Sequence, residues 1–94
     1  MTLLDVKQTL LNGKGSLRCT EVSTLLQLLG FEVRDGKRGG HKLYFHDGIP
    51  DFQSGSFNCG HGRNPEIKAA YITKIVRTID THEAALKEYL REEK

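Results

Sequence analysis

The 94-residue chain has no tryptophan, one methionine, two prolines and two cysteines. Its formal net charge is only +2. Each shortage excludes something. So few prolines rule out an extended proline-rich linker or a collagen-like rod. Two cysteines without a CxxC exclude a structural zinc ribbon and a disulfide-dense scaffold. No apolar run approaches the roughly 20 residues that a membrane-spanning helix needs. The first eleven residues lack the charged-then-apolar layout of an export signal, so a cytoplasmic location is expected. Cys19 is placed at a helix start and Cys59 at a strand end, which predicts two buried or half-buried free thiols. The length leaves no room for two active-site domains or a full dinucleotide-binding fold.

What is present is a globular balance, 37% hydrophobic and 28% charged, with ten glycines. One domain over 1–94 is expected, with its core at about 17–79, a helix at 2–11 before it and a helical extension at 81–92 after it. Charge is uneven. Residues 34–42 carry four bases against Asp35, and 60–79 carry four against Glu66, while 80–94 hold five acids and three bases. The two basic stretches lie beside the chain's Gly/His runs.

Helical stripes are clear. Leu3, Val6 and Leu10 predict a helix over Thr2–Leu11, ended by Asn12-Gly13. Val22, Leu25, Leu26 and Leu29 form the cleanest face, with Thr20 as the expected N-cap and Gly30 as a left-handed stop. Phe31–Arg34, His41–His46 and Ser56–Cys59 alternate as strands, separated by glycine-rich turns. Asn64-Pro65-Glu66 reads as a helix start, with Asn64 as cap and Pro65 at the first position, running to about Ile79. Asp80 and Glu83 match a capping box for a last helix over about Thr81–Glu92. The order α-α-β-β-β-α-α predicts an α+β domain: a three-stranded antiparallel sheet with helices on one face.

His41 is the sharpest candidate for chemistry. It follows Gly39 and Gly40, which allow close approach of a ligand backbone, and it lies beside Arg38 and Lys42. Imidazole is the side chain that most easily moves protons near neutral pH. The competing reading is a half-exposed strand histidine beside a hairpin turn. His61, between Gly60 and Gly62, reads as a weaker acid or base, or as a surface loop residue. Arg63 and Lys68 flank the expected helix start and suit phosphate, against a reading as a solvated basic face. Lys37, Arg38 and Lys42 read as nucleic-acid backbone contacts. His41, His46, His61 and Cys59 show no metal-ligand spacing, so no metal is expected. Tyr44 and Phe45 are expected to split between the core and a sheet face.

Gly30-Phe31-Glu32, then Gly39-Gly40-His41, then Tyr44, with a basic Gly/His loop before the next helix, resembles the HicA-type (YcfA-like) toxin family. LLNGKGSLRCTEVSTLLQLLGF is similar to the segment of a longer subgroup that carries an extra N-terminal helix. The resemblance covers about Leu3 to Ile79. It implies a double-stranded-RNA-binding-domain-like fold and an mRNA interferase, a small endoribonuclease of a type II toxin–antitoxin system. It further implies a HicB-like antitoxin as protein partner. The family's catalytic histidine maps onto His41, and its preceding serine is replaced by Gly40. A second family histidine maps loosely onto His61.

On that reading RNA is held by Arg38, Lys42, Arg63 and Lys68. His41 serves as general acid or base, and no cofactor is invoked because the attack is intramolecular. A non-catalytic RNA-binding module and a protein-interaction adaptor stand beside it as alternatives. A second copy of the chain is a further candidate partner.

Overall fold

The computed structural model describes residues 1–60 and 62–91. Four helices and one sheet follow the expected order: α1 (Leu3–Asn12), α2 (Cys19–Leu28), β1 (Glu32–Asp35), β2 (His41–Phe45), β3 (Gly55–Asn58), α3 (Ala69–Thr81) and α4 (Glu83–Leu90). The protein is α+β. Its sheet is an antiparallel meander in the order β1-β2-β3. Among the described residues no helix is long and apolar enough to cross a membrane.

The register sorts the sheet's two faces. Val33 lies opposite Tyr44, Tyr44 opposite Gly55, and Lys42 opposite Phe57. Residues directly across a ladder share a face. Tyr44 and Phe57 are buried, so this is the face that receives the helices. Leu26 and Leu29 at α2 and Ile72 and Ile75 of α3 come from the helices that contact it, and Val6 and Leu10 of α1 come from the helix packed on those two, each fully buried. Each such side chain contributes about 1.5–3 kcal/mol by leaving water. The opposite face carries Arg34, His41, Leu43, Phe45, Ser56 and Asn58, all half-buried or exposed. Tyr44 and Phe45 divide between core and open face as expected, and the Arg34 guanidinium stands 5.2 Å above the Phe45 ring.

Helix ends show where local signals hold. Thr2 caps α1: its hydroxyl accepts the Asp5 N–H and the Asp5 carboxylate accepts the Thr2 N–H, both at 3.1 Å. Gly30 has φ 93°. Its N–H donates to the Gln27 carbonyl and the Phe31 N–H to the Leu26 carbonyl, the paired bonds of a Schellman stop.

Three expectations about helix ends fail. Asn64-Pro65-Glu66 does not open α3. Residues 64–67 run extended beside 17–20, with a bridge between Arg18 and Glu66 and an Ile67 N–H bond to the Leu17 carbonyl at 2.8 Å. Burying Ile67 draws this segment against α2, and α3 begins only at Ala69, with Lys68 as its N-cap residue. Thr20 is not the cap of α2. The helix begins two residues earlier than expected, at Cys19 with Arg18 as its N-cap residue, and Thr20 N–H donates to the Asn64 side chain at 3.1 Å. Asp80 does not cap α4; it pairs with Lys7 of α1 at 2.5 Å, and His82 precedes the helix instead.

Cys19 and Cys59 are joined in a disulfide, against the expectation of free thiols. The docking of 64–67 on 17–20 turns the chain back after β3. It brings the first residue of α2 to the end of the sheet, with Cα atoms 5.4 Å apart. A helix start and a strand end are thus neighbours in space, although 40 residues separate them.

The C-terminal extension completes the core. Leu86 is fully buried, and the Tyr89 ring lies edge-on to His46 at 4.6 Å.

Candidate functional site

The β1–β2 hairpin builds the site. Asp35 pairs with Lys42 as the last ladder rung, and Gly36 N–H donates to the His41 carbonyl at 2.7 Å. His41 N–H returns to the Arg38 carbonyl at 3.1 Å, which closes a tight turn over Arg38–His41. Gly40, third in that turn, has φ 80°, a value that the type II turn demands and glycine supplies.

This turn fixes the direction of His41. Its side chain belongs to the open face, opposite Asn58. The ring rests on Gly36: a Cβ there would come within 3.0 Å of the imidazole Cγ. The Asp35-Gly36 signal reads in sequence only as a turn; its second effect is to make room for the imidazole. A cleft of about 400 Å³ is lined by Lys37, Arg38, His41 and Leu43. Lys37 and Arg38 are exposed. The His41 ring makes no hydrogen bond or ion pair with another described residue. Two cations and a ring able to carry a proton therefore share one small concavity.

The other expected phosphate contacts are not there. Lys42 alternates with His41, so it points to the opposite face, where it is half-buried and ion-paired to Asp35. Lys68 lines a separate cleft of about 200 Å³ with Gly39, Cys59, Gly60 and Glu66. Arg63 is exposed and lines neither cleft. His61 lies outside the described residues. The expected cluster of four bases thus reduces at His41 to Arg38, joined by Lys37.

The two glycines before His41 also divide. Gly39 is open, with nothing within 4 Å of where a Cβ would stand. Gly40 is filled by the chain itself. Its α-carbon abuts the Gly60 backbone, and its carbonyl accepts the Cys59 N–H at 2.6 Å. Only Gly39 remains for the approach of a ligand.

His46 is a different kind of histidine. It is 6% exposed, with Nε2 2.8 Å from the Leu29 carbonyl and Nδ1 accepting the Gly48 N–H at 3.0 Å. That pairing sets the neutral tautomer with the proton on Nε2. Phe31 and Tyr89 close on it edge-to-face at 4.8 and 4.6 Å. Both nitrogens are occupied, and Cys59 is bound in the disulfide. Among the described residues no group of three His, Cys, Asp or Glu side chains converges as a metal would require. Tyr44 is likewise internal: burial pushes its phenol above the usual tyrosine range, and a hydrogen bond with Thr78 acts the other way.

Compared with models of known protein families, with curated proteins and with solved structures, the chain matches none.

Proposed function

We propose that this chain is a toxin-like endoribonuclease of the HicA type, an mRNA interferase, with the double-stranded-RNA-binding-domain-like core that this implies. The observation that carries the reading is the position of His41. It stands on the helix-free face of the sheet, in one cleft with Lys37 and Arg38. An RNA strand laid on this face meets two exposed cations for its phosphates and an imidazole for proton transfer.

The reaction is an intramolecular displacement. The 2′-oxygen attacks the adjacent phosphorus, the P–O5′ bond breaks, and a 2′,3′-cyclic phosphate and a 5′-hydroxyl result. His41 removes the 2′-hydroxyl proton, or in its protonated form gives one to the departing 5′-oxygen; water completes the other transfer. Lys37 and Arg38 offset charge that builds on the phosphoryl oxygens. The 2′-hydroxyl requirement restricts cleavage to RNA. A HicB-like antitoxin covering the open sheet face is the partner that this reading supplies.

The test is cleavage of a long RNA by wild type and His41→Ala, with chelator present and contaminating nuclease excluded. The reading expects a rate loss of about 10²–10⁴-fold, the usual contribution of a general acid or base. It also expects cyclic-phosphate ends and an inert 2′-deoxy substrate. Equal cutting by the variant overturns it.

One observation favours a second reading, an RNA-binding module without catalysis. Among the described residues, the His41 cleft holds a single imidazole and no other side chain suited to the complementary proton transfer. That reading expects intact RNA and a bound complex that weakens as salt rises.

A further inference from the structure

A larger cleft, of about 510 Å³, runs between the edge of β3 and α3. Ser54, Gly55 and Ser56 form its strand wall; Lys74, Arg77 and Thr81 form its helix wall. It shares Leu43 with the His41 cleft, but His41, Lys37 and Arg38 do not line it.

The strand wall is an unfinished ladder. β3 is an outermost strand and pairs only with β2. Among the described residues, the backbone of 53–58 makes no other backbone hydrogen bond. An outer strand turns every second N–H and C=O outward, alternating donors with acceptors. The floor is firm: the Tyr44 ring passes beneath Gly55, where any Cβ would strike it.

The helix wall is cationic. Lys74 and Arg77 are exposed, three residues apart on one helical face, and neither has an ion pair among the described residues. Among the described residues no carboxylate lines the cleft. The Thr78 and Thr81 hydroxyls donate back to the Lys74 and Arg77 carbonyls, at 3.1 and 2.8 Å, so their protons are committed.

From this juxtaposition we infer that the β3–α3 cleft is a docking site for an extended acidic peptide segment of a protein partner, added as a fourth strand beside β3. Helix positions three apart place their Cβ atoms about 5–6 Å from each other. Alternate residues of a strand, which share a face, recur every ~6.6 Å. Two carboxylates separated by one residue therefore match Lys74 and Arg77 while the peptide backbone completes the ladder. A nucleic-acid strand matches less well. Its phosphates only accept hydrogen bonds, whereas the edge offers donors and acceptors in turn. The one phenol in the wall, Tyr44, is 2% exposed and presents no free face to a base.

The experiment uses the full ¹⁵N-labelled chain and a short capped peptide alternating valine and glutamate. A valine–lysine peptide and oligouridine serve as comparisons. The expected result is saturable shifts of the Ser54, Gly55 and Ser56 amides, with slowed exchange at the outward-facing amides. The paired surface change Lys74→Glu and Arg77→Glu weakens binding by about tenfold or more with the fold kept, as read from unchanged amide spectra elsewhere. His41→Ala binds the peptide equally, so this result does not depend on the ribonuclease reading. No β3 shifts at millimolar peptide, equal binding of the lysine peptide, or oligouridine moving these amides in the peptide's place would overturn the inference.

Discussion

Gly40 stands with its α-carbon against the backbone of Gly60. Its φ of 80° is one that L-residues rarely adopt, and its carbonyl is bound to the Cys59 N–H. The serine that the HicA-type pattern puts here has no space in this loop path, because its Cβ would enter the Gly60 carbonyl. Glycine at this position follows from how the β1–β2 turn packs on the end of β3.

Replacing Gly40 by Ser or Ala is therefore expected to cost about 2–4 kcal/mol, from left-handed strain together with overpacking. Gly39→Ala, one position away and open, is expected to cost far less. Urea denaturation of the two variants measures this directly, and equal midpoints would refute the packing account.

Joining residues 40 apart, the disulfide is expected to contribute about 4 kcal/mol by restricting the unfolded chain. Reduction, or Cys19→Ser with Cys59→Ser, should lower the melting temperature markedly. Alkylation before and after reduction, followed by mass spectrometry, checks the bridge itself: thiols that react in the untreated native protein would contradict it.

His41, at the start of β2, and His46, just past its end, should part company. His46→Leu removes the partner of the buried Leu29 carbonyl and that of the more exposed Gly48 N–H, at about 1–3 kcal/mol. His41→Ala removes a ring with no such bonds and should leave the unfolding midpoint nearly unchanged. Parallel thermal melts decide the matter, and they show whether loss of RNA cleavage in His41→Ala reflects chemistry rather than unfolding.

The Thr2–Asp5 box has a pH signature. Accepting the Thr2 backbone N–H, and then bonding the Thr2 side chain, holds the Asp5 carboxyl below its ordinary value. A carboxylate lowered in this way contributes stability that is fully present above the ordinary carboxylate range. That contribution fades as pH falls through the lowered folded value. Asp5→Asn should flatten the acid limb of the melting temperature against pH. An unaltered limb would mean the box is open in solution.

Local periodicity made the helix stripes and strand alternation legible, because Val22, Leu25, Leu26 and Leu29, or His41 to His46, carry their pattern within one element. The Schellman stop at Gly30 was legible for the same reason. What escaped was everything settled between distant segments. Asn64 and Pro65 have the chemistry of a helix start, yet Asn64 serves a helix 44 residues earlier in the chain. Cys19 and Cys59 looked unrelated because their proximity depends on that same docking. At the candidate site, His41 on the open face could be read from alternation. Lys42 could not be assigned with it, since neighbours in a strand face opposite ways. Nothing in the sequence singles out Lys74 and Arg77, and only the topology puts them beside a free strand edge.

The borrowed cap on α2 has a consequence for synthesis. Cys19 N–H donates to the Pro65 carbonyl, Thr20 N–H to the Asn64 side chain, and Leu17 accepts from Ile67. The first helical pair thus leaves the ribosome with part of its hydrogen bonding still untranslated. It reaches its final form only after residue 67 has emerged. Nascent chains halted before that point should show α2 frayed at its first turn, however well its apolar stripe is formed.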